Sequence, residues 1–100
     1  MGKRNSANNN LLRTYKDKTS PKVYAILVKL VNEDKENLAE DVLKVDYLIT
    51  YANTSIKAKD FREAREVLAR VEERLKKLDD NEVDISHLEY LYNNLKKQCK

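Results

Sequence analysis

Apolar residues in this chain recur every third or fourth position from about residue 23 to residue 99, with charged residues filling the intervals. That period stacks them on one side of a 3.6-residue turn and predicts amphipathic helices, and the β-branched alternation of a strand does not occur. The first helix starts at Ser20-Pro21. Serine accepts orphan amide hydrogen bonds of a first turn, and proline at the first helical position loses no bond it needed. Val23, Leu27 and Leu30, with Tyr24, Val28 and Val31 beside them, form its apolar face, and Asn32-Glu33-Asp34 ends it.

A second helix is expected from Asn37, whose spacing to Glu40 is that of a capping box. Leu38, Val42, Val45, Ile49, Ala52 and Ile56 make a seam of alternating spacings, and Leu43, Tyr47, Leu48 and Tyr51 widen it, as for a central helix with neighbours on two sides. Asp60 and Glu63 repeat the capping spacing, so Lys57-Ala58-Lys59 has to turn sharply into a third helix. That helix carries Phe61, Ala64, Leu68, Val71, Leu75 and Leu78 and stops at Asp79-Asp80-Asn81. The last begins near Asp84 or Ser86, the latter paired in spacing with Glu89, and carries Ile85, Leu88, Leu91, Tyr92, Leu95 and Cys99. Short connections force antiparallel neighbours. The expected fold is all-α: a small four-helix, mostly antiparallel bundle around a central hairpin at about residues 37–78, in a single helical domain 20–100.

Residues 1–19 lack that periodicity. Asn5, Ser6, Asn8, Asn9 and Asn10 cannot repay their ordering entropy by burial, so the segment is expected to be a disordered basic tail. Up to residue 22 the bases Lys3, Arg4, Arg13, Lys16, Lys18 and Lys22 face only Asp17. The tail is therefore basic, and the body, with slightly more acids than bases, is close to neutral. Flexible cations neutralise phosphates without reading sequence, which makes these six candidate phosphate contacts and nucleic acid a possible partner. Leu11, Leu12 and Tyr15 are an apolar patch within the tail, suited to folding onto the body or a partner.

Composition removes several kinds of chemistry. The one glycine is Gly2, so glycine-dependent phosphate loops, dinucleotide fingerprints and nucleophile elbows are absent. Cys99 is the one cysteine and His87 the one histidine, so no disulfide, cysteine-based zinc site or histidine pair is expected. A single cysteine fits a reducing, cytoplasmic setting. No apolar run approaches the roughly 20 residues of a membrane span, and no signal-length apolar stretch follows Lys3-Arg4. No catalytic residue, metal ligand or cofactor site is expected. His87 reads as a surface or capping-turn residue. Asp46, between Val45 and Tyr47, reads as the one exposed strip of its helix, the alternative being partial burial with a Lys or Arg partner.

Leu48, Tyr51, Ala52, Ser55, Ala64, Leu68 and Val71 stand near the packing positions of a tetratricopeptide repeat, which residues 48–71 resemble. Lys59-Asp60-Phe61 occupies the family's glycine-acid-aromatic turn, with lysine in place of the glycine. The resemblance implies a scaffold for a peptide or protein. It covers about a quarter of the chain, and such architectures stack three or more repeats, so an ordinary helical hairpin is the preferred reading. Six tyrosines against one phenylalanine suit helix boundaries and partner surfaces alike. Tyr90 falls opposite Leu88 and Leu95 on its helix and, with Leu91, is the candidate partner contact on the body. The function expected is a small non-enzymatic interaction module, an accessory or adaptor subunit docking on a larger protein complex. The alternative is a nucleic-acid-associated protein using the tail for phosphate contacts.

Overall fold

The computed structural model describes residues 18–99. They form an all-α, mostly antiparallel four-helix bundle of α1 (Pro21–Asn32), α2 (Glu36–Lys57), α3 (Phe61–Asp80) and α4 (Ser86–Gln98). The expected tail residues 1–17, with Leu11, Leu12, Tyr15, Lys3, Arg4, Arg13 and Lys16, lie outside the described residues. α2 and α3 pack along most of their lengths, and α2 also touches α1 and α4. One core runs through all four helices. Val23, Leu27, Val31, Val42, Val45, Val71, Leu78 and Leu88 are its largest fully buried side chains.

Two helix starts follow the sequence closely. Ser20 Oγ accepts from the Val23 amide at 3.3 Å ahead of Pro21, and Asp60 Oδ1 accepts from the Glu63 amide at 3.2 Å. The Asn37–Glu40 box does not form. α2 begins at Glu36 on Lys35, which makes no side-chain cap, and the Lys35 carbonyl takes the amides of Leu38 and Ala39. The preceding closure explains this: the Lys35 amide is already bonded back to Leu30, so the new helix starts straight off the turn. At α4 the N-cap residue is Ile85, which makes no side-chain cap, and Asp84 just before it accepts at Oδ1 from both the hydroxyl and the amide of Ser86 at 2.7 and 3.1 Å. Those two bonds hold the Asp84 carboxyl below its ordinary range.

The three helix ends share one solution. After α1, α2 and α3 a residue takes the left-handed conformation, Asp34 at φ 60°, Lys59 at φ 63° and Glu82 at φ 63°. In each, the following amide reaches back to close the last turn: Lys35 to Leu30, Asp60 to Ser55, Val83 to Leu78. This is the Schellman closure, which helices usually build on glycine because a Cβ is strained there. Here three ordinary residues take its place. The core also holds residues outside the expected seams: Ala39 and Val67 inside helices, Val83 in the last connection, and Ser55, a small residue where α2 meets its turn.

Candidate interaction face

The expectation that Tyr47 and Tyr51 widen the buried seam of α2 is not met. Tyr47 is 60% and Tyr51 40% exposed, while Leu48 is buried and Leu43 partly so. Val42, Val45 and Ile49 are buried on α2, whereas Lys44, Tyr47, Tyr51 and Thr54 form an exposed stripe along it. The two rings meet edge to face, 6.3 Å between centroids and 68° between planes, an arrangement that favours the pair beyond its burial. Tyr51 donates its hydroxyl to Glu63 Oε2 on α3 at 2.7 Å. That bond, and the charge behind it, raise the Tyr51 phenol above its ordinary value and hold the ring in place. Thr50 and Thr54 donate their hydroxyls to the carbonyls of Asp46 and Thr50 one turn back, so these donors are engaged within the helix.

The other end of the face is cationic. Lys44, Arg70, Arg74 and Lys77 surround Tyr47 and Leu48 in a shallow hollow between α2 and α3, with Glu73 among them. Beneath lies Asp41, whose side chain is only 14% exposed. Its Oδ1 accepts from Arg74 at 3.2 Å, and the Lys77 ammonium stands 2.8 Å from Oδ2 without the alignment of a hydrogen bond. The carboxylate thus ties the last turns of α3 to the first turns of α2 and fixes where the cations sit. At the opposite end, Thr54, Asp60 and Glu63 border a second hollow shared with the tyrosines.

The residues nominated from sequence are placed as follows. Tyr90 is 63% exposed on α4, but Leu91 beside it is partly buried and packs on the core, so the two do not form one apolar surface. Lys18 is exposed, and Lys22 lines a hollow of about 350 Å³ between α1 and the α3–α4 connection. Asp46 does not occupy the exposed strip. It is half-buried, and the side chain acting on it is His87 of α4 rather than a Lys or Arg; burial raises its carboxyl above the ordinary 3.8 and His87 opposes that in part. Among the described residues no group of three His, Cys, Asp or Glu is placed to hold a metal, and no helix is long and apolar enough to cross a membrane.

Known protein families, curated proteins and solved structures yield no match to this chain. The hairpin at residues 48–71 is accordingly described by its own geometry. Lys59 stands where the tetratricopeptide turn has glycine and takes the left-handed backbone that glycine would supply. The Tyr47–Tyr51 face escaped the sequence reading because a tyrosine three or four residues from a seam position looks the same whether it closes the core or stands outside it. The signal that separates them is across the hairpin: the α3 residues bordering the hollows of these tyrosines, Glu63, Arg70, Glu73, Arg74 and Lys77, are all charged.

Proposed function

We propose that this domain is a small non-enzymatic interaction module, an accessory or adaptor subunit that docks on a larger protein through the open face of the α2–α3 hairpin. The observation that carries the reading is the exposed, mutually packed Tyr47–Tyr51 pair on the longest helix, flanked by the arginines of α3. Tyrosine and arginine dominate binding energy at protein interfaces, since each gives large contact area or multiple donors at low entropic cost. Asp41 and Glu63 hold the face in a defined shape before any partner arrives, which reduces the ordering cost of association. The setting that suits its single cysteine is the reducing cytoplasm.

A second reading has one observation in its favour, the gathering of Lys44, Arg70, Arg74 and Lys77 around an exposed ring, which resembles the ingredients of a nucleic-acid surface. Affinity purification of the tagged chain from its native cells, with and without nuclease, separates the two. A dominant protein partner that survives nuclease and is lost on Tyr47→Ala/Tyr51→Ala supports docking. Partners that vanish with nuclease, and binding that falls steeply with salt, support the phosphate reading.

A further inference from the structure

We infer that the element received by this face is an amphipathic helix of a partner protein, about four turns long, acidic in its first turns and basic in its last; the inference rests on the docking reading above. Charges of opposite sign are ordered along the hairpin. At the α3 C-terminal end stand Lys44, Arg70, Arg74 and Lys77; at the other end stand Asp60 and Glu63; the tyrosines lie between. Glu63 and Lys77 are separated by roughly 21 Å of helix axis at 1.5 Å per residue, the length of about 14 residues of a docked helix.

A polyanion does not fit that order. Its phosphates carry one sign throughout, so a strand that satisfies Arg70 and Arg74 then runs onto Glu63 and Asp60. At the cationic end Asp41 already neutralises Arg74 and Lys77 and Glu73 stands among the bases, which leaves Lys44 and Arg70 for isolated carboxylates of a partner helix rather than for a run of phosphates. An added β-strand does not fit either, because both walls of the groove are helices whose backbone groups bond internally. A helix with separated charges meets both ends at once and lays its apolar stripe on the exposed tyrosines. Its own dipole sets the direction. Acids are favoured at a helix N-terminus and bases at its C-terminus, so the partner starts beside Lys44 and Arg70 and runs antiparallel to α3.

The test is a phage-displayed library of 16-residue helices with a fixed leucine and alanine stripe and Glu, Lys or Gln varied elsewhere. It is panned against the full chain and counter-screened on Tyr47→Ala/Tyr51→Ala and on Lys44→Glu/Arg70→Glu. All four substitutions are outside the Asp41 cluster, and thermal melting of both variants verifies the fold. The expected winners gather Glu in the first two turns and Lys in the last two, and lose about tenfold or more in affinity on each variant. Tyrosine-dependent winners that are acidic from end to end overturn the bipolar helix and leave docking standing. An oligonucleotide of twenty thymidines that displaces the winners through Lys44 and Arg70 also overturns it, in favour of a polyanion. Winners that bind both tyrosine-bearing and tyrosine-free chains equally overturn the docking reading with it.

Discussion

Tyr90 on α4 and Tyr47 on α2 are almost equally exposed, at 63% and 60%, yet their surroundings differ in kind. Tyr90 has Leu91 as its apolar neighbour in sequence, and Leu91 turns inward onto the core. Tyr47 has Tyr51 packed edge to face against it, an acid holding Tyr51 from the next helix, and cations fixed by a sheltered aspartate on the other side. Exposure of an aromatic ring is common to both regions. Organisation of what surrounds the ring belongs to one, and organisation is what lets a contact contribute binding energy without first being ordered.

The comparison can be broken most directly by alanine. Tyr47→Ala/Tyr51→Ala is expected to weaken the interaction with the protein partner by about 2 kcal/mol or more, the cost typical of interface anchors, while Tyr90→Ala changes it by less than about 0.5 kcal/mol. Calorimetric titration of the purified partner into each variant measures both, and equal losses would erase the distinction. Next in size is the support beneath the cations. Asp41→Ala leaves Arg74 and Lys77 without their shared carboxylate and is expected to lower stability by about 1 to 2 kcal/mol in urea unfolding. Glu63→Gln, at the solvent-exposed end of the same face, is expected to cost about 0.5 kcal/mol or less.

The hairpin's turn sharpens the comparison from the opposite direction, since it sits at the acidic end of the face. Lys59→Gly and, at the α3–α4 turn, Glu82→Gly each relieve a Cβ at positive φ, partly offset by the greater freedom of glycine in the unfolded chain. Each is expected to add about 0.5 to 1 kcal/mol in urea unfolding, with Asp34→Gly adding less because aspartate tolerates the left-handed region better. A stabilised turn that left partner affinity unchanged would show that the face is already set by Asp41 and Glu63.

The smallest effect concerns Asp46, which lies on α2 near His87 of α4, the helix that carries Tyr90. Its folded-state carboxyl is raised by burial, so the folded protein holds that proton more tightly than the unfolded chain. Its contribution therefore favours folding at low pH and declines as pH rises from the unfolded value of 3.8 through the raised folded one. Asp46→Asn is expected to gain under about 1 kcal/mol at neutral pH, the half-exposed position limiting the effect, and to flatten the decline of stability that sets in as pH rises past 3.8. Urea unfolding from below that pH to neutrality measures it, and a loss of stability at neutral pH would show that the His87 attraction outweighs burial.

Much of the fold was legible because it depends on local signals. Ser20-Pro21 and Asp60 state helix starts in their own chemistry, and the three-and-four spacing of Val42, Val45 and Ile49 names a buried face without reference to the rest of the molecule. Asn37 failed because capping competes with the turn before it: the closure through Asp34 and the Lys35 amide reached Glu36 first. The left-handed ends were hidden for a related reason, since no glycine flags them. Tyr47, Tyr51 and Asp46 were misplaced because a helix of this width has several near-apolar stripes, and only packing with α1 and α4 decides which stripe is covered. The docking face is a property of two helices side by side. Glu63 and Arg74 are ordinary surface charges until Tyr51 and Asp41 stand opposite them.

The central claim, that the open α2–α3 face rather than α4 meets a protein, is tested most directly by photo-crosslinking in the native cells. Benzoylphenylalanine is placed at position 47 in one strain and at position 90 in another, and the crosslinked species are resolved with and without nuclease. The account predicts one dominant, nuclease-resistant protein adduct from position 47 and none of comparable yield from position 90. Adducts from position 90 alone, or adducts at position 47 that nuclease removes, would contradict it.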